Sequence, residues 1–290
     1  MKVILVALIT SATLGVQALD RPLDPIAAKL EPTRTVTYKT VGDRSLELHI
    51  FEPAGHSSAD RRPVYLTIHG GGWTGQTPRY FYPFAKHFAD LGMLSISLEY
   101  RLRSPKRGTT VFDCVKDARS AMRHLRRHAD KLGIDPDRIA VSGGSAGGHI
   151  AAGTALFDTL NEESDDLSVS CVPDLLILYY PVIDTSEKGY GQAKIGDRWR
   201  ELSPVDHVRP GIPDTLLLHG TGDTVTPFAG AKLFHERMIE AGNSCELIAF
   251  EGGRHGYFIF DLDLFAEAMT QTESFLKQHK FLPIPPAENR

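Results

Sequence analysis

Cysteine is scarce: Cys114, Cys171 and Cys245 are the only three in 290 residues, and their spacing suits neither a zinc site nor a disulfide framework. A chain this long needs no covalent staples, because it can bury most of the surface that its unfolded form exposes. One bridge among the three is open to it in an oxidising compartment, but Cys114 and Cys245 read as small core residues. A large charge excess is also missing. The formal net charge is −4 and the basic residues are scattered, apart from the short Arg123–His128 face, which excludes the basic stripe of a nucleic-acid binder. No apolar run approaches the ~20 residues that a membrane-spanning helix needs, and no repeat is visible. No motif asks for a metal or an organic cofactor, and nothing sets an oligomeric state.

What is present at the N-terminus is a targeting pattern. Lys2 precedes the apolar Val3–Ile9, and Val16-Gln17-Ala18 resembles a small-residue cleavage site. Residues 1–18 are therefore expected to be a signal peptide cut after Ala18, giving a secreted or periplasmic protein with no stable membrane anchor. Thr10, Ser11 and Thr13 close the apolar run too early for an anchor. Residues 19–282 are expected to form a single α/β domain, opened by an extended arm over Asp20–Thr33, with a flexible tail at 283–290.

Short apolar runs alternate with helical patterns. Arg34–Val41 and Leu46–Glu52 flank Gly42-Asp43, a hairpin signal. Strands are expected at Val64–Ile68, Leu94–Glu99, Arg138–Ser142, Leu175–Tyr180, Thr215–His219 and Cys245–Phe250. Helices are expected at Tyr80–Leu91, Val111–Leu132, Gly148–Leu156, Phe228–Ala241 and Phe265–His279. This alternation predicts a mostly parallel sheet covered by helices on both faces, with the hairpin as an antiparallel edge.

The chemistry centres on Gly143-Gly144-Ser145-Ala146-Gly147, a G-x-S-x-G match. It follows a strand directly and opens a helix of small residues, so the turn is tight and Ser145 stands at its apex. The helix N-terminus behind it favours an anion. One strand–helix unit earlier, His69-Gly70-Gly71-Gly72-Trp73 leaves backbone N–H groups unshielded by side chains, able with the Ala146 N–H to hold an oxyanion. His69 reads as a brace for that loop.

A serine hydroxyl needs a base, and the base needs an orienting carboxylate. His255 sits in the glycine-rich Gly252-Gly253-Arg254-His255-Gly256 after the last strand, and Asp223 follows the strand Thr215–His219. The order Ser145, Asp223, His255 is that of an α/β-hydrolase. His149 and His219 compete as base, and Asp184 competes as acid, each lying close to a strand end or to the elbow.

These segments together, with Glu99-Tyr100-Arg101-Leu102 and Gly133-Ile134-Asp135-Pro136-Asp137-Arg138, resemble the hormone-sensitive-lipase-like esterases. Ser203-Pro204, His219-Gly220, Pro227-Phe228 and Gly253–Gly256 are similar to the secreted bacterial branch containing acetyl xylan and feruloyl esterases. The likeness runs from about Leu46 to about Lys277. It implies an α/β-hydrolase fold, Ser145 as nucleophile, Asp223 and His255 as its partners, and Gly71, Gly72 and Ala146 as oxyanion donors. Glu99 stands where that family usually has Asp, with a local effect expected on pairing to Arg101. The N-terminal arm is too short for a full helical cap, so only Asp184–Pro213, with Tyr190 and Trp199, is long enough to form a lid.

The expected function is hydrolysis of short-chain, acetyl-type esters on a small molecule or polysaccharide, with Trp73 and Tyr100 as candidates for a sugar or acyl subsite. A peptidase on the same fold and a catalytically silent binding protein are the alternatives. The first lacks a recognition domain, and the second is at odds with an intact set of parts.

Overall fold

A computed structural model describes residues 21–282; the expected signal peptide and the 283–290 tail lie outside the described residues. The chain opens with α1 (Leu23–Lys29), where an extended arm was expected. Leu23 and Ala27, four apart, share one buried face, and Pro25 falls in the first turn, where its missing N–H has no intrahelical partner to lose. β1 (Arg34–Val41) and β2 (Arg44–Phe51) form the hairpin, followed by β3 (Arg62–Ile68), α2 (Tyr82–Asp90) and β4 (Leu94–Leu98).

The long helix expected over Val111–Leu132 divides into α3 (Val111–Arg127) and α4 (Ala129–Leu132). At the break, the His128 Nδ1 lies 2.9 Å from the His124 carbonyl, next to the His128 N–H that already donates there. β5 (Ile134–Gly144) starts four residues earlier than expected because Ile134 pairs with Arg62 before a register shift readmits the strand at Ile139. α5 (Ala146–Leu156), β6 (Leu175–Tyr179), α6 (Gln192–Ile195), β7 (Thr215–Gly220), α7 (Phe228–Glu240), β8 (Cys245–Phe250) and α8 (Leu262–Gln278) complete the order. α8 begins three residues ahead of Phe265, since the Asp261 side chain accepts the N–H groups of Asp263 and Leu264.

All eight strands join one sheet in the order β1-β2-β4-β3-β5-β6-β7-β8. The β1/β2 and β2/β4 pairs are antiparallel and the rest are parallel. Strand side chains alternate between two layers, as a period of two requires. Ile139 and Val141 pack with Val115, Met122 and Phe234 of α3 and α7, while Ala140 and Ile177 pack with Phe84, Phe88 and Phe275 of α2 and α8. Burial on both faces explains why the parallel strands read as continuous apolar runs. The three cysteines are unpaired and buried, Cys171 included.

A buried ionic cluster ties the antiparallel edge to the helical layer. The Asp117 carboxylate, with no exposed side-chain surface, accepts from Lys39 Nζ at 2.7 Å, Arg101 Nη2 at 2.8 Å and the Arg101 N–H at 2.9 Å. Glu162 shares both cations, at 2.7 Å each. Arg101 is thus committed to Asp117, and Glu99 pairs with Arg44 at 2.8 Å, which corrects the expected Glu99–Arg101 pairing. Removing Asp117 leaves two cations short of a buried partner. Asp117→Ala should therefore lose about 3–5 kcal/mol in denaturant unfolding, and a loss within ~0.5 kcal/mol, the usual surface range, would contradict that role.

Candidate active site

The turn between β5 and α5 sets the geometry. Ser145 has φ 57° and ψ −123°, a strained conformation for a residue with a side chain. Its N–H donates to the Tyr179 carbonyl at 3.0 Å, and its own carbonyl accepts from His149 and Val182, both at 3.1 Å. These bonds hold the strain in place. Two residues on, Gly147 lies so close to the end of β3 that a Cβ there would meet the Ile68 carbonyl oxygen at 2.1 Å.

Three strands converge on that apex. The loop after β8 brings His255 Nε2 to 2.9 Å from Ser145 Oγ, and the loop after β7 brings Asp223 Oδ2 to 2.7 Å from His255 Nδ1. Of the competing histidines, His149 is buried with Nε2 on the Leu202 carbonyl at 2.7 Å, and His219 places Nε2 on the Thr226 carbonyl at 2.7 Å. Neither imidazole bonds to the Ser145 hydroxyl. Asp184 accepts the Ser186 N–H at 2.8 Å in a local turn and does not bond to His255. His69 is also buried, against Tyr100, and burial lowers its pKa to about 3, so it remains a neutral brace.

Burial by itself would raise the Asp223 pKa. Hydrogen bonds from His219 and His255, the His255 charge and the Thr226 N–H outweigh it and hold the carboxyl well below the usual carboxylate range. Oδ1 accepts the N–H groups of Val225 and Thr226, each at 2.8 Å, while Oδ2 also accepts Thr226 Oγ1 at 2.9 Å. Thr226 is a site residue that the sequence reading missed; its position three residues after Asp223 in a side-chain-capped turn was the available signal. Tyr180 was missed as well, and its ring stands edge-on to His255 with centroids 5.1 Å apart.

The glycine loop after β3 has left-handed backbone at Gly71 (φ 88°), Gly72 (φ 59°) and Trp73 (φ 62°). Among the described residues, the N–H groups of Gly71, Gly72 and Ala146 find no protein acceptor, and Gly70–Gly72 line the same cleft as Ser145. That cleft has a volume of about 270 Å³ and an aromatic and aliphatic wall formed by Phe81, Tyr180, Tyr190, Val225, Ile259 and Phe260. Arg21 and Gln76 supply polar groups to it.

Trp73 and Tyr100 are not on that wall, which corrects their expected role as a substrate subsite. Trp73 is fully buried, packed edge-on against His149, because its own left-handed φ turns the ring inward under Gly191. The Tyr100 hydroxyl lies 2.9 Å from the His69 carbonyl and 3.0 Å from that of Gly70, bracing the loop from behind. Of the lid candidates, Tyr190 lines the cleft and Trp199 does not.

Among the described residues, the one group with metal-ligand types close together is Glu47, His49 and Glu99 on β2 and the end of β4, and Arg44 already supplies Glu99 with a counter-charge. No helix among the described residues is long and apolar enough to cross a membrane.

Residues 48–174 match the family described as BD-FAE. The native structure of a thermophilic esterase from Thermogutta terrifontis, Est2, is 36% identical, covers 91% of this chain and 100% of its own, and superposes with a TM-score of 0.82. The chain belongs to the α/β-hydrolase esterases. Other members of wider reach include a probable carboxylic ester hydrolase, LipM, of Mycobacterium tuberculosis, 29% identical over 61% of this chain and 44% of its own length. An endo-1,4-beta-xylanase B of Butyrivibrio fibrisolvens is 26% identical over 73% of this chain and 35% of its own length. The chain spans about half the length of the first curated relatives it matches.

Two outcomes test the site's physics. Gly147→Ala should destabilise the fold by more than about 2 kcal/mol, read as a lowered denaturation midpoint, because its methyl group must displace strand backbone. The depressed Asp223 pKa stabilises the fold at any pH above its unfolded value of about 4, and that contribution is lost as pH falls through the folded value. Asp223→Asn should therefore lose less stability than wild type between about pH 4 and pH 2, the window below the unfolded carboxylate value; parallel curves would contradict it.

Proposed function

We propose that this chain is a secreted serine carboxylesterase that removes short acyl groups from oxygen-rich, carbohydrate-type alcohols. The observation that carries the reading is the unbroken relay Ser145 Oγ, His255, Asp223, with spacings of 2.9 and 2.7 Å. His255 Nε2 takes the proton as Ser145 Oγ attacks the ester carbonyl, and Asp223 stabilises the imidazolium on its Nδ1 side. The carbonyl oxygen, now negative, rests on the N–H groups of Gly71, Gly72 and Ala146. His255 returns its proton to the departing alkoxide, leaving an acyl-enzyme. A water then attacks the acyl carbon, giving its proton to His255, which passes it to Ser145 Oγ as the bond to the acyl carbon breaks and the acid is released. Thr226 holds both carboxylate oxygens, its N–H on Oδ1 and its hydroxyl on Oδ2, the oxygen that also faces the imidazole.

The short-acyl preference is supported by the modest cleft volume of about 270 Å³ and by the Thermogutta esterase, whose structures include propionate-bound and butyrate-bound forms. The carbohydrate preference is supported by the xylanase relative and by the polar Arg21 and Gln76 beside an otherwise apolar wall. Export is supported by the pattern of residues 1–18.

The experiment is turnover by the purified protein of p-nitrophenyl acetate, p-nitrophenyl decanoate, acetylated xylo-oligosaccharide and an aminoacyl anilide. The acetyl esters should be favoured, and Ser145→Ala should lower kcat by at least about 10⁴-fold with the fold intact. Anilide cleavage without ester cleavage, or full activity in Ser145→Ala, would overturn the reading. A decanoate preference would overturn the short-acyl assignment alone.

A further inference from the structure

The glycine loop has left-handed backbone at three successive residues, so something must hold it in that shape. Tyr100 braces its inner side through the His69 and Gly70 carbonyls. The outer side is held by the segment between β6 and β7. Lys194 of α6 donates from Nζ to the Gly72 carbonyl at 3.2 Å and to the Tyr190 hydroxyl at 2.6 Å. The same residue's carbonyl accepts Arg103 Nε at 2.8 Å, and the Arg103 N–H donates to the Trp73 carbonyl at 2.7 Å. Gly72 and Trp73 are thus tied to α6 by two separate bridges. The approach is close: a Cβ on Gly72 would lie 2.7 Å from both Lys194 Nζ and the Tyr190 hydroxyl.

Lys194 forms no ion pair with a carboxylate among the described residues. Its charge is spent on two neutral oxygens, one of them in the glycine loop that lines the cleft together with Ser145. An ammonium bound to a peptide carbonyl fixes the direction of that peptide, and an uncompensated cation there also favours negative charge in the adjoining cleft.

We infer that Lys194 is a positioning residue for the esterase reaction, fastening Gly72 so that the loop amides meet the oxyanion. This rests on the esterase reading of the site. The cation acts through the loop and makes no contact with the reacting atoms.

The test compares steady-state kinetics on p-nitrophenyl acetate for wild type, Lys194→Met, Lys194→Ala and Lys194→Arg. Lys188→Met, on the same segment but bonded to neither loop residue, controls for loss of one positive charge. Misplaced donors cost up to about a hundredfold. Lys194→Met and Lys194→Ala should therefore lower kcat by roughly tenfold to a hundredfold, with KM within about threefold, as expected when an interaction belongs to the transition state. Lys194→Arg, which keeps a charged donor, should regain most of the rate, and Lys188→Met should match wild type.

A kcat for both neutral variants within about twofold of wild type, or a loss that Lys194→Arg does not restore, or an equal loss in Lys188→Met, overturns the inference. Absence of ester turnover in the wild type would instead sink the esterase reading itself.

Discussion

The close approach of the α5 N-terminus to the end of β3 is the constraint on which the rest depends. Ser145 can occupy its strained backbone only because Gly147 leaves room for the Ile68 carbonyl and because Tyr179, His149 and Val182 take up the surrounding peptide bonds. That one contact puts the serine and the glycine loop at the same edge of the sheet. The parallel register does the remainder, since β7 runs beside β6 and β8 beside β7, delivering Asp223 and His255 from the same direction. Strain of this kind costs about 1–3 kcal/mol, which the buried layers on both faces of the sheet can offset.

The polar architecture divides into two systems. At the cleft, Asp223 is surrounded by donors and kept ionised against its own burial. At the antiparallel edge, Asp117 and Glu162 neutralise Lys39 and Arg101. The second system touches no cleft residue directly, yet Arg101 is two positions from Arg103, which bridges Trp73 and Lys194. The stretch after β4 therefore serves both the stability of the hairpin edge and the shape of the glycine loop.

The strand and helix order was legible because burial on both faces makes each parallel strand a plain apolar run, and because the G-x-S-x-G turn and the glycine triplet sit directly after strands. Ser145, His255 and Asp223 were legible by their place at strand ends. The misses have physical causes. α1 was hidden because its apolar face has only Leu23 and Ala27, interleaved with prolines. The roles of Trp73 and Tyr100 were misjudged because aromatic residues next to a catalytic loop fit a subsite and a buttress equally well by composition. Glu99, Arg101 and Asp117 could not be paired correctly without knowing that α3 returns over β1. Lys194 meets the glycine loop through contacts that only the folded chain creates, whereas the Thr226 turn onto Asp223 is local and was passed over.

The odd number of cysteines gains a chemical meaning from their burial. All three are enclosed, and burial pushes the Cys114 and Cys245 thiols well above their ordinary range. A sulfhydryl that a reagent cannot reach cannot attack a disulfide or trap an oxidant. The native chain thus tolerates an oxidising milieu without a partner for its third sulfur. Unfolding removes that protection from all three at once, so scrambled cross-linking is a hazard of the denatured chain and heat inactivation in air has a route to becoming irreversible.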